Sequence, residues 1–116
     1  MYNRSMAETA GEVPAARIRL ERAFEYVADA MKQAAGRGDY QIASSEAQRH
    51  GLVETPVAKL LGTVWQRTDQ NLILWLQWRY YDQSRPFSIQ KDMNVLSLEL
   101  RDGNKILRQA DERYED

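Results

Sequence analysis

The chain contains no cysteine. Disulfides, thiol nucleophiles and zinc sites built on thiolates are therefore excluded, and a reducing cytoplasm is the expected compartment. Histidine is nearly absent as well, with His50 standing alone. A lone histidine beside a turn reads as a surface or capping residue. No serine lies in a nucleophile-elbow context to partner it. No charge sign dominates: 16 basic and 17 acidic side chains leave a formal charge of −1. This argues against a chain-wide basic surface built to coat nucleic acid, while allowing a local basic face. Long apolar runs are missing too. The best one, Leu72–Leu76 with Trp78 beyond, falls far short of the roughly 20 residues a membrane span needs. The opening MYNRSMAETAGE lacks the apolar core of a secretion signal. Residues 1–12 are expected to be a flexible leader before a single globular domain, 13–116.

What is present is enough for one modest core, since 43% of the residues are hydrophobic. Leu20, Phe24, Val27, Met31 and Ala34 recur at spacings of three and four, which predicts an amphipathic helix. Pro14 suits its first turn and Gly36 and Gly38 its end. A short helix is predicted from about Gln41 to His50, stopped by Gly51. A third is predicted from about Thr55, with Thr55 as cap, Pro56 at the first position, and Val57, Leu60, Leu61, Val64 and Trp65 as its apolar stripe. Thr68–Asn71 would end it.

The second half changes period. Leu96, Leu98 and Leu100 alternate with Ser97, Glu99 and Arg101, as in a half-buried strand, and Asp102-Gly103 follows as a turn before Lys105–Leu107. Leu72, Leu74, Leu76, Trp78 and Tyr80 would share one strand face, and Pro86–Gln90 would add a short strand. The expected fold is thus α+β: N-terminal helices, then an antiparallel sheet or hairpins over residues 72–109. The competing reading is all-α, because Ile89, Met93, Leu96, Leu100, Gly103, Leu107, Ala110 and Tyr114 also trace a heptad seam. A glycine on that seam weighs against it. The acidic tail from Gln109 onward reads as a frayed helix end.

The stretch SSEAQRHGLVETPVAKLLG, Ser44–Gly62, resembles the helix-turn-helix of bacterial DNA-binding proteins. Ala47 falls where that motif needs a small residue, Gly51 at its turn, Leu52 as the plug, and Val57 and Leu60 where the second helix packs back. Glu46 and His50 depart from it by occupying positions that are usually apolar. The resemblance implies a non-enzymatic regulator or accessory protein, binding double-stranded DNA as a homodimer. Thr55, Lys59, Thr63, Gln66 and Arg67 would lie on the reading helix, and Ser44 and Arg49 would hold the backbone. A following hairpin would act as a wing.

A second constellation is WLQWRYYDQSR. Alternation on a strand places Trp75, Arg79 and Tyr81 on one side and Trp78 and Tyr80 on the other, so at least one set belongs to the core. Aromatic residues with arginine are also common interface anchors. Trp75, Trp78, Arg79, Tyr81 and Arg85 are therefore the candidate partner-binding residues of an alternative function, a protein-interaction module such as an inhibitor, adaptor or chaperone-like dimer. Stacking of single-stranded bases is a weaker option. Glu21 and Glu25 lie one helical turn apart next to Arg17 and Arg22, which reads as a solvated, ion-paired helix face. No catalytic constellation, cofactor motif or metal-ligand spacing emerges, and no enzymatic activity is expected.

Overall fold

The computed structural model describes residues 4–56, 62–81 and 93–115, with side chains from residue 15 onward. Among these residues two helices precede five strands: α1 (Arg4–Arg37), α2 (Gln41–Arg49), β1 (Val53–Thr55), β2 (Thr63–Asp69), β3 (Leu72–Tyr81), β4 (Met93–Asp102) and β5 (Lys105–Glu115). The strands form one antiparallel sheet in chain order, β1 through β5. This is the expected α+β order, and the all-α alternative is not supported, because the described residues of its proposed seam lie on β4, on β5 and, for Gly103, in the turn between them.

The core follows from two periods meeting. The α1 stripe of Leu20, Phe24, Val27, Met31 and Ala34 is buried. It lies on Leu72, Leu74 and Leu76 of β3 and Leu96, Leu98 and Leu100 of β4, each at most 1% exposed. Register aligns Leu74 with Leu100 and Leu76 with Leu98, so these leucines share a face. Each fully buried aliphatic side chain contributes about 1.5–3 kcal/mol. From α2, Ala43 and Ala47 join the same core, as does Leu52 beyond it. Gly51, at φ +87°, turns the chain between them.

Three expectations are corrected. Helix α1 begins at Arg4, upstream of Pro14. The third helix is replaced where the chain is described: Thr55 ends β1, and Val64 and Trp65 lie on β2. Thr63–Thr68 is rich in β-branched and aromatic residues, and its pairing with β3, Trp65 opposite Leu76, outweighs a helical spacing that those residues also satisfy. Thr68–Asn71 is accordingly not a helix end. Gln70 (φ +58°) and Asn71 form a two-residue hairpin between Asp69 and Leu72. The acidic tail is likewise strand rather than helix, because β5 pairs with β4 as far as Glu115 opposite Met93. Val57, Lys59, Leu60, Leu61, Arg85 and the expected strand Pro86–Gln90 lie outside the described residues.

Candidate protein-interaction site

Strand β3 emerges from under the helices at its C-terminal end, where its apolar alternation gives way to Trp78, Arg79, Tyr80 and Tyr81. On the helix side, Trp78 is half-buried and its ring stacks on Tyr40, from the turn between α1 and α2, with centroids 3.9 Å apart and planes 8° from parallel. The Trp78 Nε1–H donates to Asn94 Oδ1 on β4 at 2.9 Å. Asn94 is 3% exposed, so this bond satisfies a polar group that would otherwise be costly to bury. Tyr80 lies beyond, its ring tilted 39° to Trp78 at 6.3 Å. Together with Asp39, Tyr40, Asn94 and Tyr114 these side chains line an open cleft of about 400 Å³.

On the face turned away from the helices, β3 carries Trp75, Arg79 and Tyr81. The Arg101 guanidinium sits over Trp75, 5.2 Å from the ring centroid, and Arg101 Nε donates to Glu99 at 2.6 Å. A cation held on an aromatic face in this way is stabilised by the ring quadrupole. Arg79 Nη1 donates to the Tyr81 hydroxyl at 3.1 Å. Tyr80 and Tyr81 remain 45% and 43% exposed, one on each face. Among the described residues Tyr26 is exposed as well, at 52%; what sets Tyr80 and Tyr81 apart is that they are adjacent at one strand end.

The alternation expected for this segment is thus found. It brings Arg79 and Tyr81 together and sends Trp75 and Trp78 to opposite faces. Tyr40, Asn94 and Tyr114 had not been picked out as site residues. Tyr114 shares β5's alternation with Ala110 and Glu112, a local signal that the helical reading of the tail concealed. Nothing local marks Tyr40.

The described residues expected to meet DNA lie on α2, β1 and β2. Ser44 is buried and its Oγ–H donates to the Gln41 carbonyl at 3.2 Å. Arg49 pairs with Glu46. Thr55 is on β1. Thr63 and Arg67 lie on the helix side of β2 and Gln66 on the other, as their register shows. Arg67 Nη1 donates to the His50 carbonyl at 2.9 Å, placing a cation at the C-terminal end of α2 where the helix dipole favours it. His50 caps α2, pairs through Nε2 with Glu46 Oε2 at 2.9 Å, and stacks on Tyr26.

Electrostatics elsewhere serve the frame. Arg19 of α1 grips Asp69 at the end of β2 with two bonds of 2.6 and 3.0 Å. These bonds hold the Asp69 carboxyl below its ordinary value. Arg17, with a smaller effect from Arg108, holds Glu21 low in the same way. Among the described residues no group of three or more His, Cys, Asp or Glu side chains is placed to hold a metal ion, and no helix is long and apolar enough to cross a membrane. Known protein families, curated proteins and solved structures yield no match to this chain.

Proposed function

We propose that this chain is a non-catalytic protein-interaction module of the cytoplasm, whose contact surface is the aromatic end of β3. The observation that carries this reading is the pair of exposed tyrosines, Tyr80 and Tyr81, beside the cleft built on Tyr40, Trp78 and Asn94. A rigid aromatic stack with a buried polar anchor loses little entropy on binding, which is how interface hot spots are made. An apolar or aromatic side chain of a protein partner fits the cleft, and Arg79 and Tyr81 extend the contact around the strand edge. The carboxylates with shifted pKa, Glu21 and Asp69, are held ionised, the opposite of a general acid poised near neutrality. The duplex-binding reading required an outward helix carrying Thr63, Gln66 and Arg67; these residues are on a strand, and Arg67 is engaged by α2.

The test places a photo-crosslinking amino acid at Tyr80 or Tyr81 in producing cells, with exposed Ile18 of α1 as control. A discrete adduct at the tyrosine positions, absent at Ile18 and lost on Tyr40→Ala, is expected. Equal labelling at all three positions, or none, refutes the proposal. A gel shift at low salt tests the other reading: retention of duplex by the wild type, weakened by Arg67→Glu, would displace the interaction proposal.

A further inference from the structure

One arrangement recurs on both faces of the sheet: an arginine laid over an aromatic ring and paired with a carboxylate. On the helix side Arg108 lies over Phe24 of α1, 4.4 Å from the ring centroid, and pairs with Glu25 and, at 3.4 Å, with Glu21. On the other side Arg101 lies over Trp75 at 5.2 Å and pairs with Glu99. The ring quadrupole attracts the charge, and the carboxylate takes donors of the guanidinium in charge-assisted hydrogen bonds.

The cleft at the end of β3 repeats two of those three parts. Its rings are Tyr40, Trp78, Tyr80 and Tyr114, and its carboxylate is Asp39. No lysine or arginine is among the described residues that line it. Asp39 is exposed. Its Oδ1 accepts the Gln41 N–H at 3.0 Å, which fixes the carboxylate in the turn that carries Tyr40. The Trp78 N–H is already donated to buried Asn94. The indole therefore offers a ligand its π-surface and not its donor.

Each class of occupant meets this lining differently. An acidic side chain meets the like charge of Asp39. A wholly apolar or aromatic one suits the walls but strips water from the Asp39 carboxylate without replacing it. Lysine brings its charge as a compact, strongly hydrated ammonium. Arginine brings an apolar stem and a weakly hydrated planar head that stacks on rings as an aromatic group does, with donors left for a carboxylate. We propose that the cleft receives an arginine side chain of the partner protein, with its guanidinium against the rings and paired with Asp39. This inference rests on the aromatic end of β3 being the contact surface, and it names the side chain that is read there.

The test titrates the full chain with a blocked Gly-Arg-Gly peptide and with copies carrying citrulline, the neutral planar isostere, or lysine in place of arginine. The readout is the indole N–H resonance of Trp78, identified by its loss in Trp78→Phe. The arginine peptide is expected to move it saturably and to bind about tenfold more tightly than either of the others. Asp39→Asn should bring the arginine peptide to the citrulline level and leave citrulline binding unchanged. An asparagine oxygen still accepts the Gln41 N–H, so the start of α2 is kept. Tyr80→Leu, at an exposed ring, should weaken the arginine peptide more than the citrulline one. Equal affinity for arginine and citrulline overturns the proposal, as does arginine binding that is indifferent to Asp39→Asn. Equal affinity for lysine overturns the choice of arginine. A photo-adduct at Tyr80 or Tyr81 without preference for arginine over citrulline removes this inference alone. No adduct together with a motionless Trp78 resonance removes the contact surface with it.

Discussion

Gly62 permits the close approach on which the aromatic strand depends. At φ +77° it occupies the left-handed region, where a residue with a Cβ is destabilised by about 1–2 kcal/mol. Its surroundings add a second penalty. An ideal Cβ there would overlap the Trp78 carbonyl oxygen and lie 3.1 Å from its carbon and 3.3 Å from Arg79 Cα. These are backbone atoms in mid-sheet and cannot rotate away, and overpacking of this kind costs typically about 1–3 kcal/mol. Gly62→Ala is therefore expected to lose about 3 kcal/mol, near 10 °C in Tm for a chain of this size. Two companions separate the contributions. Gly51 shares the positive φ (+87°), but its nearest neighbour is the flexible Arg67 side chain at 3.3 Å, so Gly51→Ala should lose only about 1–2 kcal/mol. Gly36 lies in α1 with nothing within 4 Å, and Gly36→Ala should stabilise by up to about 1 kcal/mol. Urea titration of all three reads the differences directly. Equal losses at Gly62 and Gly51 would show that the approach to Trp78 contributes nothing, and the reasoning would fail.

Two further expectations concern the site and the frame. Trp78→Phe, Asn94→Ala and the double variant form a cycle whose coupling should be about 1 kcal/mol, the net worth of their hydrogen bond; strict additivity would contradict the bond. The folded-state pKa values of Glu21 and Asp69 are depressed, so the stability they contribute is present in full above the ordinary carboxylate range. It is lost as pH falls through the folded values. The urea midpoint should hold steady from neutrality to about pH 5 and decline below about pH 4. Asp69→Asn should flatten part of that decline, and an unchanged slope would rule Asp69 out as a source.

Much of the frame was legible because its causes are local. The α1 stripe and the Leu96–Leu98–Leu100 alternation each state their own period. The Asp102-Gly103 turn and the stop at Gly51 depend on single residues. Val64 and Trp65 misled because they also complete an apolar spacing that suits a helix. What makes them strand, the pairing of Trp65 with Leu76 and the fit of Gly62 against Trp78, comes from a strand further along the chain. The site suffered in the same way. Trp78 and Tyr80 were conspicuous, but Tyr40, Asn94 and Tyr114 reach them from a helix turn and two other strands. No window of sequence contains that meeting.

The order of the elements has a consequence for synthesis. Every strand pairs with its neighbour in the chain, so the sheet can grow one neighbouring pair at a time, from contacts of low sequence separation. Helix α1 does not share this convenience. It leaves the ribosome before the sheet, yet its apolar stripe packs on β3 and β4, which are made much later. During translation Leu20, Phe24, Val27 and Met31 therefore wait for the strands that cover them. Slowing elongation after α2 should lengthen that exposure, making the nascent chain a better client for holding chaperones than the finished protein.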